Sequence, residues 1–245
     1  MKPTQPRQST GLARALSKLG YCSRSAAGRL IDQGHVRVNG RQVRDPEGPV
    51  RIEKDEISIN GQIIKTADRV YLMLNKPRGF VTTASDEKGR QTVYSLLPAD
   101  SQWLAPVGRL DKASEGLLLL TNDSAWAARI TEPATHLDKT YHVQIAALAD
   151  KQLLLALTAG VTEGGDLLKA KRARLLRAGN KNCWLEITLD EGKNRQIRRM
   201  FSALDIEVLR LIRVAIGPLQ LGDLPKGATR ELTRTEVGNL RRVMA

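Results

Sequence analysis

The chain is short of nearly everything that marks a secreted, metal-binding or membrane protein. Two cysteines, Cys22 and Cys183, stand 161 positions apart in 245 residues. That excludes a disulfide framework, and both read as small buried apolar residues. The three histidines, His35, His136 and His142, fall in no metal-ligand spacing with them, so no metal is expected. No apolar run nears the ~18 residues needed to span a bilayer. Residues Met1 to Thr10 lack the apolar segment of a secretory signal. No membrane association and a cytoplasmic location are therefore expected. Acid is also scarce: 39 Lys and Arg face 26 Asp and Glu, a net charge of +13. Such an excess favours a polyanionic partner. What remains, 41% hydrophobic and 27% charged, describes a soluble globular chain of one or two domains.

The positive charge is unevenly placed. Residues 1–44 hold nine Lys and Arg against one acid, Asp32. Residues 1–9 read as a flexible basic tail. A helix follows with Leu12, Ala15, Leu16 and Leu19 on one face, ended by Gly20. Ser23 is placed to cap a second helix, Arg24 to Gln33. Val36 and Val38 alternate with polar residues before Asn39-Gly40, a hairpin signal. Another short strand, 56–59, runs into Asn60-Gly61. Two helices and a hairpin carrying unbalanced cations suit phosphate contacts; Arg14, Lys18, Arg24, Arg29, Arg37 and Arg41 are the candidates.

Residues 63–69 read as a linker. Beyond it, strands and helices mix without strict alternation, which predicts an α+β domain over 70–245. Val70–Asn75 is a buried strand stopped at Lys76-Pro77. Thr92 is placed to cap a short helix. Lys139–Ile145 alternates at period two, with Tyr141, Val143 and Ile145 on one face. Asp150 caps a helix bearing Leu153, Leu154, Leu157 and Val161. Ile197, Met200, Phe201 and Leu204 mark the core face of another helix. Thr235 is placed to cap a last helix with Val237, Leu240 and Val243 inward.

One stretch stands out. Gly108-Arg109-Leu110-Asp111-Lys112-Ala113-Ser114-Glu115-Gly116 leads into the apolar run Leu117–Leu120. Asp111 is either a turn former or a carboxylate presented by a rigid scaffold. The chain has no paired carboxylates of hydrolase type, no phosphate loop and no dinucleotide fingerprint. A lone aspartate, an aromatic on a strand (Tyr141) and an arginine-rich helix start (Arg195, Arg198) fit work on an unstacked base or its ribose.

Residues 12–20, 23–27 and 34–40 resemble the S-four-type RNA-binding module, over roughly 10–62. Leu74–Gly79, Gly108–Asp111, Lys139–Tyr141, Gly192–Met200 and Leu211–Gly217, in that order and spacing, resemble the ribosomal RNA pseudouridine synthases of the RsuA/RluB/RluE/RluF type. The resemblance implies a small helical and hairpin RNA-binding module followed by a mixed α+β catalytic domain with a mainly antiparallel sheet. It implies isomerisation of one uridine in ribosomal RNA to pseudouridine by base flipping, with no cofactor. Asp111 becomes the catalytic aspartate, Tyr141 the residue stacking on uracil, and Arg198 the partner of the Asp111 carboxylate. Arg109, Lys112, Arg195, Leu211 and Arg213 are the substrate-binding candidates, Arg109 and Lys112 through phosphates. Residues 78–83 and 86–90 lean towards the large-subunit members. A monomer is expected. The competing reading is a non-catalytic RNA-binding or ribosome-assembly protein.

Removing residues 1–62 is expected to weaken RNA binding and flatten its salt dependence. Mapping the modified position with and without that segment shows whether it also selects the target.

Overall fold

A computed structural model describes residues 9–83, 89–99 and 101–244. Most of the predicted tail, and residues 86–88 of the polar loop, lie outside these. The chain forms two compact units.

The first unit comprises the chain up to Val70 together with Pro98–Ala105 and Thr121–Ser124. It contains β1 (Thr10–Gly11), α1 (Leu12–Lys18), α2 (Arg24–Asp32), β2 (Val36–Val38), β3 (Arg41–Gln42), β4 (Pro49–Val50), β5 (Ile57–Ile59) and β6 (Gln62–Ile63). Ser23 caps α2 through its hydroxyl, which accepts from the Ala26 amide at 3.1 Å. Asn39-Gly40 and Asn60-Gly61 all have positive φ, as tight hairpin turns require. They order a four-stranded sheet, β3-β2-β5-β6. Leu12, Leu16, Ala27, Ile31, Val36 and Ile59 form one core beneath it. Ile63, read as linker, belongs to β6. The segment after it is tied down within the unit: Asn122 donates to the Asp68 carbonyl at 2.6 Å and accepts from the Val70 amide at 3.0 Å. Cys22 is half-buried and Cys183 fully buried, both as free thiols.

The second unit contains β7 (Tyr71–Lys76), β8 (Ala105–Val107), β9 (Glu115–Thr121), α3 (Ser124–Thr131), β10 (Lys139–Ile145), α4 (Lys151–Ala159), β11 (Val161–Glu163), β12 (Asp166–Leu168), β13 (Arg172–Ala178), β14 (Cys183–Leu189), α5 (Gln196–Ser202), β15 (Val208–Ile216), β16 (Leu219–Gln220), β17 (Thr229–Glu231) and α6 (Arg234–Val243). Its main sheet runs β13-β14-β10-β15-β9-β7-β17, with β16 on β15 and β8 on β9. The resolved pairings are antiparallel except one: β9 runs parallel to β15. All of β9 is buried, as its apolar run predicts. Two cores flank the sheet. One gathers Leu117, Leu119, Trp126 and Leu240. The other gathers Val143, Leu157, Leu185, Ile187, Met200 and Phe201.

Three local expectations are corrected. Val161 leaves α4 and starts β11, because Gly160 stops the helix with φ +112°. The cap of α6 is Thr233, not Thr235: its hydroxyl accepts from the Glu236 amide while Glu236 returns to the Thr233 amide, a reciprocal capping box. That places Val243 outside, half-exposed, on the helix's last turn.

The parallel pairing has a strict requirement. Gly116 lies opposite Arg213 with φ +100°, and an added Cβ would sit 2.2 Å from the Arg213 carbonyl oxygen. Gly116→Ala is expected to cost more than about 3 kcal/mol, combining backbone strain with displacement of β15. Urea unfolding measures it, and a loss under about 1 kcal/mol, or a gain like that of Gly-to-Ala at an unstrained position, contradicts the argument.

Candidate active site

A cavity of about 500 Å³ opens in the second unit. Of the residues singled out in the sequence, Arg109, Asp111, Tyr141, Arg195, Leu211 and Arg213 line it. Lys112 and Arg198 do not. Lys139, Gln196 and Glu191 join the lining.

The local structure holds Asp111 by its backbone. Ser114 closes the turn, its amide donating to the Asp111 carbonyl at 3.0 Å. The neighbouring carbonyls are then captured one after another. Thr82 Oγ1 donates to Leu110 at 2.8 Å, and the Gly79 amide donates to Lys112 at 2.8 Å. Arg198 Nη2 donates to Ala113 at 3.1 Å. The ammonium of Lys76 takes three more: Ser114 at 2.8 Å, Asp111 at 3.1 Å and Pro77 at 3.2 Å.

Lys76 is 0% exposed. Burial drives its pKa down to about 8, with the nearby Asp111 and Glu115 charges pulling the other way. Sequence reasoning passed over it as a strand terminus. A lysine directly after an unbroken buried strand, before a proline, was the available signal.

The carboxylate of Asp111 pairs with Arg195: Nη1 to Oδ2 is 3.2 Å. The sequence assigned that bond to Arg198, which instead donates to the carbonyls of Ala113 and Val208. The cause is backbone geometry. Arg195 precedes α5 in the left-handed region, φ +49° and ψ +31°, and its side chain reaches the cavity mouth. Arg198, a turn later, reaches under the Asp111 turn. Its Nε is buried without a partner. Burial first, then Arg195, lower the Arg198 pKa, and Asp111 opposes that.

Opposite Asp111 on the sheet, β10 places Lys139 and Tyr141 in the cavity wall. Arg213 is almost fully buried, its Nε bound to the Leu117 carbonyl at 2.7 Å and its Nη2 unpaired. Lys139 is lowered by burial and by Arg213, against Asp190 and Asp138. The second lining carboxylate, Glu191, is engaged by Gln196 at 2.6 Å and Lys193 at 3.6 Å. Asp111 is therefore the carboxylate left facing the cavity with one exposed partner. Glu115, next to the turn, is buried; burial would raise its pKa, but Arg210 and Lys226 hold it below the ordinary range.

In the first unit Arg14, Lys18, Arg24, Arg29, Arg37 and Arg41 are all exposed. Among the described residues no cluster of His, Cys, Asp or Glu could hold a metal ion, and no helix is long and apolar enough to cross a membrane.

Comparison with known proteins follows this geometry. Residues 70–203 match the family model for RNA pseudouridylate synthase, and residues 10–57 match the S4 domain. The chain is 39% identical over 233 residues to the ribosomal large subunit pseudouridine synthase B of Bacillus subtilis (strain 168), covering 94% of this chain and 95% of that one. It is 37% identical to an uncharacterized RNA pseudouridine synthase of Aquifex aeolicus (strain VF5), covering 92% and 91%. A solved pseudouridylate synthase structure, 32% identical, superposes with a TM-score of 0.67 over 95% of this chain and 100% of that one.

Lys76→Met leaves the Pro77 and Ser114 carbonyls without their donor and removes one of two donors from Asp111, for an expected loss of about 3 kcal/mol. Because the folded chain holds the Lys76 proton less tightly than the unfolded chain, its contribution becomes more favourable as pH rises from about 8 towards the ordinary value of 10.5. The stability advantage of wild type over Lys76→Met in urea should thus grow between pH 7 and 9.5. A constant difference refutes the buried-ammonium account.

Proposed function

Since the chain belongs to the RNA pseudouridylate synthase family and carries an S4 domain, we propose that it converts one uridine of ribosomal RNA to pseudouridine, with Asp111 as the catalytic carboxylate. The observation that carries this reading is the Asp111 carboxylate, set on a backbone whose carbonyls are bonded from 110 to 114 and aimed into a cavity that Tyr141 also lines. The name of the Bacillus subtilis relative points to the large subunit.

A uridine inside a stack is out of reach, so the target is flipped out, at a cost of a few kcal/mol. Arg109, exposed at the cavity mouth, and Lys112 grip phosphates and offset that cost. Tyr141 stacks on the uracil. The bond from C1′ to N1 breaks, the base turns, and C1′ joins C5. C5 gives up its proton and N1 gains one, so the change is an isomerisation that calls for no redox partner or cofactor. Asp111 acts at the ribose or base while Arg195 keeps its carboxylate ionised. Arg213 offers its free Nη2 as a donor to the bound nucleotide, against the apolar side of Leu211. Arg198 acts indirectly, through the Ala113 carbonyl.

Asp111→Asn should bind ribosomal RNA within about threefold of wild type, under 1 kcal/mol, and release no tritium from carbon-5-labelled uridine. Release from the variant would remove Asp111 from the chemistry. Wild-type protein releasing none from large-subunit or small-subunit RNA would leave a binding protein instead. Release from small-subunit RNA alone would overturn the large-subunit assignment.

A further inference from the structure

Successive residues of β10 serve opposite faces of the sheet. Lys139 and Tyr141 line the Asp111 cavity, whereas Thr140 and His142 line a second, open groove of about 1010 Å³. Helices α4 and α5 contribute to the core on the cavity side, with Val143, Leu185 and Ile187. The reverse face of β13, β14, β10 and β15 is open and carries Thr140, His142, Arg172, Arg174, Glu186 and Thr188 beside Val214 and Ala215.

Three features of this face point to one ligand class. First, register sets a row straight across four strands: Arg177 opposite Trp184, Trp184 opposite Gln144, and Gln144 opposite Arg210. Both guanidiniums approach the indole, at 5.2 Å and 5.5 Å from its ring. This ladder of planar cations and one ring is a surface on which an unpaired base can lie. Second, Arg210 is fixed from behind by both oxygens of buried Glu115, at 3.0 Å each. Arg177 is exposed, with no ion pair among the described residues. Third, the groove edge adds Lys171, Arg172 and Arg174. Arg172 and Arg174 are 70% and 65% exposed, on carboxylates of Asp138 and Glu186. Exposed pairs of this kind are weak and screened by salt, so a phosphate can displace the carboxylate. Arg172 and Arg174 are also two residues apart on one strand, about 7 Å, a step comparable to that between phosphates of an extended strand.

We propose that this reverse face is a second RNA-contact surface, which holds a single-stranded stretch of the substrate RNA away from the modified nucleotide. Phosphates lie on Arg172, Arg174 and Arg177, and an unpaired base stacks on the Trp184–Arg177 pair. The chemistry is charge complementarity plus stacking. The lack of a broad apolar surface in the row disfavours a protein partner. The proposal rests on RNA being the substrate and adds a surface that the isomerisation itself does not use.

The test compares wild type with Arg172→Glu/Arg177→Glu, both exposed positions, and with a charge-matched control, Arg234→Glu/Arg242→Glu, on exposed sites of α6. Two probes are used: protein-free large-subunit ribosomal RNA, and a short stem-loop carrying the same uridine. For the long RNA, the reverse-face variant should raise Kd at least tenfold. It should lower the salt slope by about 1.4, from two single-strand phosphate contacts. The control should change Kd less than threefold. Binding to the stem-loop and tritium release from it should stay within twofold. Trp184→Leu should weaken long-RNA binding and Trp184→Phe restore it. Unchanged long-RNA affinity, equal losses on both probes, or equal losses in the control each overturn the proposal. So does a loss seen only with assembled particles, which would assign the face to a ribosomal protein. Binding is read without catalysis, so failure of the isomerase reading is visible separately as absent tritium release by wild type.

Discussion

The second unit depends on a single buried ammonium. Lys76 ends β7 with no exposed surface and gives its protons to the carbonyls of Pro77, Asp111 and Ser114. Burying a charge is costly unless its hydrogen bonds are satisfied. Here three carbonyl oxygens do so, with Asp111 and Glu115 contributing charge nearby. The cation in turn fixes the irregular backbone that carries Asp111. With Thr82, Gly79 and Arg198 holding the intervening carbonyls, the Asp111 turn has little freedom left. Such a turn presents a carboxylate without reorganisation when substrate arrives.

The same sheet then separates two tasks. Period-two alternation sends Tyr141 towards Asp111 and His142 away from it. The Asp111 side holds the cavity, where burial and a few donors set the environment. The open side carries planar cations and a ring, suited to a flexible polyanion. Glu115 links the two physically. It lies beside the Asp111 turn in sequence, yet its carboxylate anchors Arg210 of the reverse face.

Much of this was legible in the sequence because it rests on local rules. The Asn-Gly turns, the Ser23 and Asp150 caps, the buried β9 and the alternation of β10 all emerged as read. The cavity brought together Asp111, Tyr141, Arg195, Leu211 and Arg213, five residues scattered over a hundred positions. What failed was side-chain partnering. Arg195 and Arg198 differ by less than one helical turn, and the left-handed backbone at Arg195 decides which of them meets Asp111. Lys76 was invisible for the opposite reason: lysine is almost never fully buried, so composition argues against it. The α6 cap was misread by two residues although Thr233-Arg234-Thr235-Glu236 already spells a capping box.

The manner in which the Asp111 turn is held has a further consequence. Each main-chain oxygen of residues 110–114 accepts a hydrogen bond, so the turn is located through its backbone, while the Asp111 carboxylate keeps its own contact with Arg195. The placement of the Asp111 carboxylate thus does not draw on the side chains of its neighbours Arg109, Lys112 and Ala113. Side chains at the cavity mouth can be exchanged residue by residue while the Asp111 turn stays where it is. One scaffold can in this way be redirected among RNA sites without rebuilding its chemistry.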